Sequence, residues 1–293
     1  MNNNNSTAHV LTEEALGTIL HYSTAVLATF PPETLAEVFQ VKARTIGRSP
    51  NLETIKTLSY QRYQEGHLKR LIVAAAKANQ VSAEMIENLL SLGGVLFHVG
   101  YTEWAYHLFH RALQIGQKLW GNEHIEVAYI MSNVSGVLYS LQEAEEAIKM
   151  GQEAVQIASR AVAGLDKRKA LIQHNLASML YSQQHLQEAY DLYLEAYNGR
   201  TKLLGYSHPE TIATMKNIGT LLFYANQIEQ SLRYLEKAFL AQHYALGLRH
   251  PHTIETLKDL VHIFSSAIET TNDESLIARA QPYRQALERA TIG

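Results

Sequence analysis

Three asparagines stand in register along the chain: Asn133, Asn175 and Asn217 lie 42 residues apart, with Ser91 one step before them. A carboxamide carries a donor and an acceptor, so one such side chain can pair with both the N–H and the C=O of a peptide unit. Repeated at a fixed interval, it suits the gripping of a backbone without reading side chains. A second column, Phe97, Tyr139, Tyr181 and Phe223, is aromatic in all four copies. Around the two columns lie His174, Ser178, Lys216, Thr220 and Tyr224, with His98 in the first copy. The set is polar and aromatic, with modest positive charge, and the chemistry it suits is binding. Each column has a second reading. The asparagines can instead brace a neighbouring helix, and an aromatic stripe at repeat spacing can be core with its hydroxyls at the edge.

Other chemistries find less support. Among 14 histidines, His208 and His250 belong to a repeated linker phrase that accounts for them. His107 and His110 have a zinc-compatible spacing, but Glu103 is the only helper in reach, and such a site needs a third ligand on the same face. No metal and no cofactor is expected. No phosphate loop, serine elbow or H-E-x-x-H motif occurs. The chain has no cysteine, which removes thiolate ligands, disulfides and a cysteine nucleophile together. An enzyme is not expected.

Net charge is −3, from 25 basic and 28 acidic residues, so no global field draws nucleic acid or anionic lipid. Residues 1–84 carry eight basic and seven acidic side chains, which does not support a DNA-reading head. Hydrophobic runs such as Ala25 to Phe30 are too short to cross a bilayer. The start, MNNNNSTAHV, lacks the order of a secretory signal. These features predict a soluble cytoplasmic protein with a disordered leader over residues 1–8, and no membrane partner.

The elements that must hold the columns repeat with the same period. LLGYSHPETI (203–212) and ALGLRHPHTI (245–254) agree at six of ten positions. Alanine recurs at Ala112, Ala154, Ala196, Ala238 and Ala280, and seven residues upstream stand Ala105, Ala147, Ala189 and Ser231. Gly93, Ser135, Ala177 and Gly219 are all small, and Leu96, Leu138, Leu180 and Leu222 follow three residues later. Small residues let two helices approach, while aliphatic columns fill what remains. In the third copy, helical spacing runs over 172–182 and 186–203, separated by Gln183-Gln184-His185. Gly205 is expected to end the second helix in a left-handed conformation, and Pro209 to open the next at its first turn.

On NVSGVLYSLQEAEEA, NLASMLYSQQHLQEA, NIGTLLFYANQIEQS and the LG-x-x-HP-x-T linkers at 204–211 and 246–253, the chain resembles tetratricopeptide repeats of the 42-residue kinesin-light-chain kind. The resemblance covers roughly 85–270. It implies an all-α fold, a right-handed superhelical solenoid of antiparallel helix pairs whose first helices line a concave groove. It also implies that Asn133, Asn175 and Asn217 lie in the cargo-holding groove. Packed helices lie about 8–10 Å apart and an extended chain advances about 3.3 Å per residue, so an asparagine ladder can grip about every third residue.

The sequence departs from the family in three places. The linker LWGNEHIEVA (119–128) has Ile125 in the proline position, and AVAGLDKRKA replaces the phrase near residue 162. No sustained heptads precede the array, which argues against the motor subunit itself. The tryptophan-plus-acidic preference of kinesin light chain grooves is not carried over, because one lysine and a titratable histidine do not supply the charge. The expected organisation is an N-terminal helical segment over 9–84, including a degenerate repeat at 51–84, then the array over 85–270. A capping helix over 271–293 follows, introduced by Asn272-Asp273. The expected function is an interaction scaffold or adaptor that binds an extended peptide or partner helix in the groove. A peptide-sensing regulatory receptor and a self-associating scaffold are the alternatives, and the sequence leaves partner and oligomeric state open.

Overall fold

In a computed structural model, residues 81–291 apart from 99 and 272 are described, and every element among them is a helix. The expectations for residues 1–80 lie outside the described residues. The helices are α1 (Ala83–His98), α2 (Thr102–Trp120), α3 (Ile125–Ser140), α4 (Ala144–Ala161), α5 (Lys167–Ser182), α6 (Leu186–Leu204), α7 (Pro209–Tyr224), α8 (Ile228–Leu246), α9 (Pro251–Thr271) and α10 (Glu274–Thr291). The chain divides into two compact units, Met1–Ala161 and Val162–Gly293. The first holds α1–α4 among its described residues and the second holds α5–α10. Within each unit every helix packs on the next, and α5 also touches α7.

Small residues set how closely the paired helices approach. A Cβ added to Gly93 would sit 2.5 Å from a Phe109 ring carbon, and one added to Gly219 would sit 2.7 Å from Leu235 Cγ. Serine takes the same role with a bond of its own. Ser135 Oγ donates to the Ala147 carbonyl at 2.7 Å, and Ser231 Oγ donates to the Gly219 carbonyl at 2.6 Å. The alanines of the repeat, from Ala105 to Ala280, are fully buried, as are Leu92, Val134 and Ile218.

The turn inside each pair has a positive φ at one position per copy: Gly100 (90°), Gln142 (69°), Gln184 (64°) and Asn226 (57°). The next residue's N–H then reaches back to the carbonyl of Leu96, Leu138, Leu180 or Leu222 at 2.8–3.0 Å. This is a Schellman closure, in which otherwise orphaned carbonyls find donors. A non-glycine residue in this conformation costs roughly 1–2 kcal/mol, which the sequence reading of a merely polar turn did not anticipate.

The linker glycines differ from expectation in a second way. Gly121, Gly205 and Gly247 have φ of 79°, 89° and 88°, but ψ of 171°, 166° and 164°. They are not left-handed helical; they occupy an extended region that is essentially reserved for glycine. The chain must straighten at once because the next helix cap lies only three residues on. That cap is histidine: Nδ1 of His124, His208 and His250 accepts the N–H of Glu126, Glu210 and His252 at 3.2–3.3 Å. Pro209 follows at the first turn, where its missing N–H leaves nothing unpaired. Where the phrase is absent, Asp166 caps α5 through Arg168 and Lys169 N–H groups.

Just before α10, Asp273 accepts the Ser275 N–H at 2.9 Å, and within the helix Leu276 and Ala280 join a buried cluster with Leu235, Phe239, Leu260 and Phe264. Arg279 pins the helix to α8 by paired bonds to Glu236 and Glu229 at 2.9–3.1 Å.

Candidate functional site

The second unit brings three of the singled-out residues into one network. Asn217, on α7, donates from Nδ2 to the Tyr193 hydroxyl at 3.2 Å. Tyr193, on α6, donates to Ser178 Oγ at 2.8 Å, and Ser178 donates to the His174 carbonyl at 3.0 Å. Each hydroxyl has one proton, and each is spent downstream, so the Tyr193 oxygen can only accept from Asn217. The Asn217 amide is thereby fixed with its NH2 group inward and its carbonyl oxygen on the other side. Burial pushes the Tyr193 phenol up, which keeps the donor chain protonated at neutral pH.

Beneath this relay lies a buried cation. Arg200 is only 3% exposed and donates from Nη1 to Thr214 Oγ1 at 2.7 Å and to the Glu210 carbonyl at 3.0 Å. Its Nη2 lies 3.4 Å from the Glu210 carboxylate, while Nε has no partner. Burial, only partly offset by Glu210, pulls the guanidinium below its ordinary range. His174 stands beside it, with Nδ1 3.3 Å from Thr214 Oγ1 and its ring edge-on to Tyr193. Desolvation, reinforced by the Arg200 charge, lowers the imidazole to about 3, so it is neutral at physiological pH. Thr214 has one proton for two acceptors. When it goes to the Glu210 carbonyl, 2.9 Å away, His174 Nδ1 carries the ring proton and donates to Thr214.

The remaining sequence candidates fall in both units. Tyr181 and Tyr224 face each other with centroids 6.2 Å apart, and Tyr224 is 65% exposed. Asn175, Lys216 and Thr220 are half-buried. Lys216, the lysine of the expected lining, is paired across helices. Its ammonium lies 3.2 Å from Glu255 and 3.5 Å from Asp259, both on α9, and it holds the Glu255 carboxyl below its ordinary range. Asn133 and Tyr139 are half-buried on α3 of the first unit.

The sequence reading missed Tyr193, Arg200 and Thr214. A signal existed: the Arg200 column reads Gly116, Ala158, Arg200, Gln242, and the Thr214 column reads Ile130, Ile172, Thr214, Thr256. Two small-plus-isoleucine copies give way to two polar ones. Among the described residues no three metal-ligating side chains gather, and no helix is long and apolar enough to cross a membrane. His110 Nδ1 lies 3.4 Å from Gln114 Nε2, and the Tyr106 ring borders both His107 and His110.

No curated protein sequence matches the chain. Solved structures do. A Podosopora anserina protein with nearly identical TPR-like repeats of kinesin-light-chain type is 17% identical, over 70% of this chain and 96% of that one, with a TM-score of 0.57. BtubC (BKLC) from P. vanneervenii is 18% identical over 87% of this chain and 91% of its own, also at 0.57. A Rap protein complexed with Competence and Sporulation Factor is 13% identical over 94% of this chain and 78% of its own, at 0.52. At these identities the likeness is one of fold. The family model for the tetratricopeptide repeat matches residues 84–160 and 168–239, just over half of the sequence, and the chain belongs to the tetratricopeptide repeat family.

Proposed function

We propose that the protein is a non-catalytic scaffold whose second unit holds an extended peptide on the face formed by α5 and α7. Asn175 and Asn217 act as backbone grips, and Tyr181 and Tyr224 supply aromatic surface beside them. The observation that carries this reading is the fixed amide of Asn217. The Tyr193–Ser178–His174 relay uses one of its N–H donors and orients the group, which leaves its carbonyl oxygen and second N–H for a peptide unit. A grip that is already ordered loses less rotamer freedom on binding. The Rap protein, solved in complex with Competence and Sporulation Factor, is an instance of a similar fold with a bound partner. By register, Asn133 and Tyr139 hold the matching places in the first unit, where Phe109 offers no hydroxyl to order the amide.

The test is selection of binders from a random peptide library by the intact chain, followed by challenge with Asn175→Ala/Asn217→Ala. Selected peptides are expected to lose most of their affinity, a loss well beyond the drop in Tm of about 2–4 °C that follows from one lost hydrogen bond. Peptides that bind the double variant as well as the parent would remove the grip from the mechanism.

A further inference from the structure

Between α7, the end of α8 and the start of α9 lies a cleft of about 560 Å³. Ligand pockets span roughly 300–1,000 Å³, so it is large enough for a side chain and part of its backbone. Its wall is mainly apolar, from Pro209, Ile212, Ala213, Ala245 and Leu246. Gln242 also lines it, 7% exposed, and its Oε1 is buried with no hydrogen-bond partner. A buried amide oxygen without a donor is costly, by about 1–3 kcal/mol. Alanine or glycine fills the same column in the first two copies, so the repeat itself does not demand a polar residue there. At the rim, Lys216 faces two carboxylates, Glu255 and Asp259, so one negative charge is left over. His252 Nδ1 approaches Glu255 at 3.7 Å, and its ring is exposed.

We propose that this cleft is an anchor pocket for an extended partner segment in which an apolar side chain stands next to a lysine or arginine. The apolar side chain seats against Ile212 and Leu246, a main-chain N–H of the segment supplies the donor that Gln242 Oε1 lacks, and the basic neighbour pairs with Glu255 and Asp259. The inference rests on the scaffold reading and names its partner class: basic rather than acidic.

The probes are three fluorescein-labelled nine-residue peptides in an alanine–serine background. One has a central leucine flanked by lysines, one the same leucine flanked by glutamates, and one a central alanine between lysines. Fluorescence anisotropy with the full chain is expected to show the lysine–leucine peptide binding about tenfold tighter than either control. Ala213→Trp, at an exposed position on the rim, fills the cleft and should abolish that preference. Gln242→Met removes the unpaired oxygen at similar volume. It is expected to weaken the same peptide about fivefold while raising the Tm by about 2–4 °C. A purely structural Gln242 predicts the opposite sign in Tm, and that result overturns the proposal. So does equal or tighter binding of the glutamate peptide, an unaltered preference in Ala213→Trp, or no saturation by about 1 mM. Concentration-dependent sedimentation that Ala213→Trp abolishes would assign the cleft to a second copy of this chain instead. Asn175→Ala/Asn217→Ala tests the scaffold reading separately, because neither residue lines the cleft.

Discussion

In the first unit Gly116 faces Ile130, and a Cβ added to the glycine would sit 3.0 Å from the Ile130 Cδ1. At the matching place in the second unit, 84 residues on, Arg200 donates to Thr214 at 2.7 Å. The neighbours change in step. Phe109 becomes Tyr193, Leu90 becomes His174, and Gly94 becomes Ser178. One helix-pair geometry thus accepts either a dry contact or a hydrogen-bonded ion pair at the same junction. The dry version needs no further support. The polar version holds a cation with an unpartnered Nε and a histidine that must stay neutral. Buried ion pairs often stabilise less than an apolar filling of similar volume. The second unit keeps the costlier arrangement beside the separate Tyr193–Ser178 relay that orders Asn217.

The largest expected effect comes from undoing the exchange by halves. Arg200→Ala removes one donor each from Thr214 Oγ1 and the Glu210 carbonyl, leaves the Glu210 carboxylate without its cation and opens a hole, and should cost about 3 kcal/mol. The cost stays below the upper end for a broken buried pair because the Glu210 carboxylate is half exposed and water can solvate it. Adding Thr214→Ile, the residue type of the first unit, should recover a large part of that loss. Chemical denaturation of both singles and the double variant gives the coupling, and strict additivity would mean that the two positions are not one exchanged unit.

Acid sharpens the comparison next. His174 is depressed from 6.5 to about 3, so the unfolded chain binds a proton in that interval and the folded chain does not. Its contribution is fully present above pH 6.5, falls as pH drops towards 3, and is flat below that. The slope is at most about 1.4 kcal/mol per pH unit. His174→Leu, the first unit's choice at this position, should flatten the acid limb of a stability-versus-pH curve. An unchanged limb would place the acid response elsewhere.

The smallest change is one oxygen. Tyr193→Phe converts the relay to the first unit's Phe109 and removes the acceptor for Asn217. It should lower stability by about 1 kcal/mol and, by freeing the amide, weaken selected peptides about threefold. Melting and anisotropy on the same samples separate the two losses, and lost stability with intact affinity would show that the orientation of Asn217 does not matter for capture.

Much of this molecule was legible from the chain. The period, the small columns and the aliphatic columns specified helix pairs because each is a local packing rule repeated in register. The role of His208 and His250 was half legible. Their place in the phrase was plain, but their capping bond depends on where the preceding glycine sends the backbone. Gln142 and Gln184 hid a positive φ, since nothing in their chemistry favours it and only closure of the turn demands it. The pairing of Lys216 was not legible, because Glu255 and Asp259 come beside it only when α9 packs.

What the sequence determined alone was therefore the repeating framework: helix starts, helix stops and buried faces, all set by interactions within a few residues. What only the tertiary structure decided was which polar side chains satisfy one another across helices. Tyr193 meets Asn217 and Arg200 meets Thr214 over 24 and 14 residues of chain. A hydrogen bond needs its partner within about 3 Å and in line, and no spacing along a chain fixes that before the helices have packed.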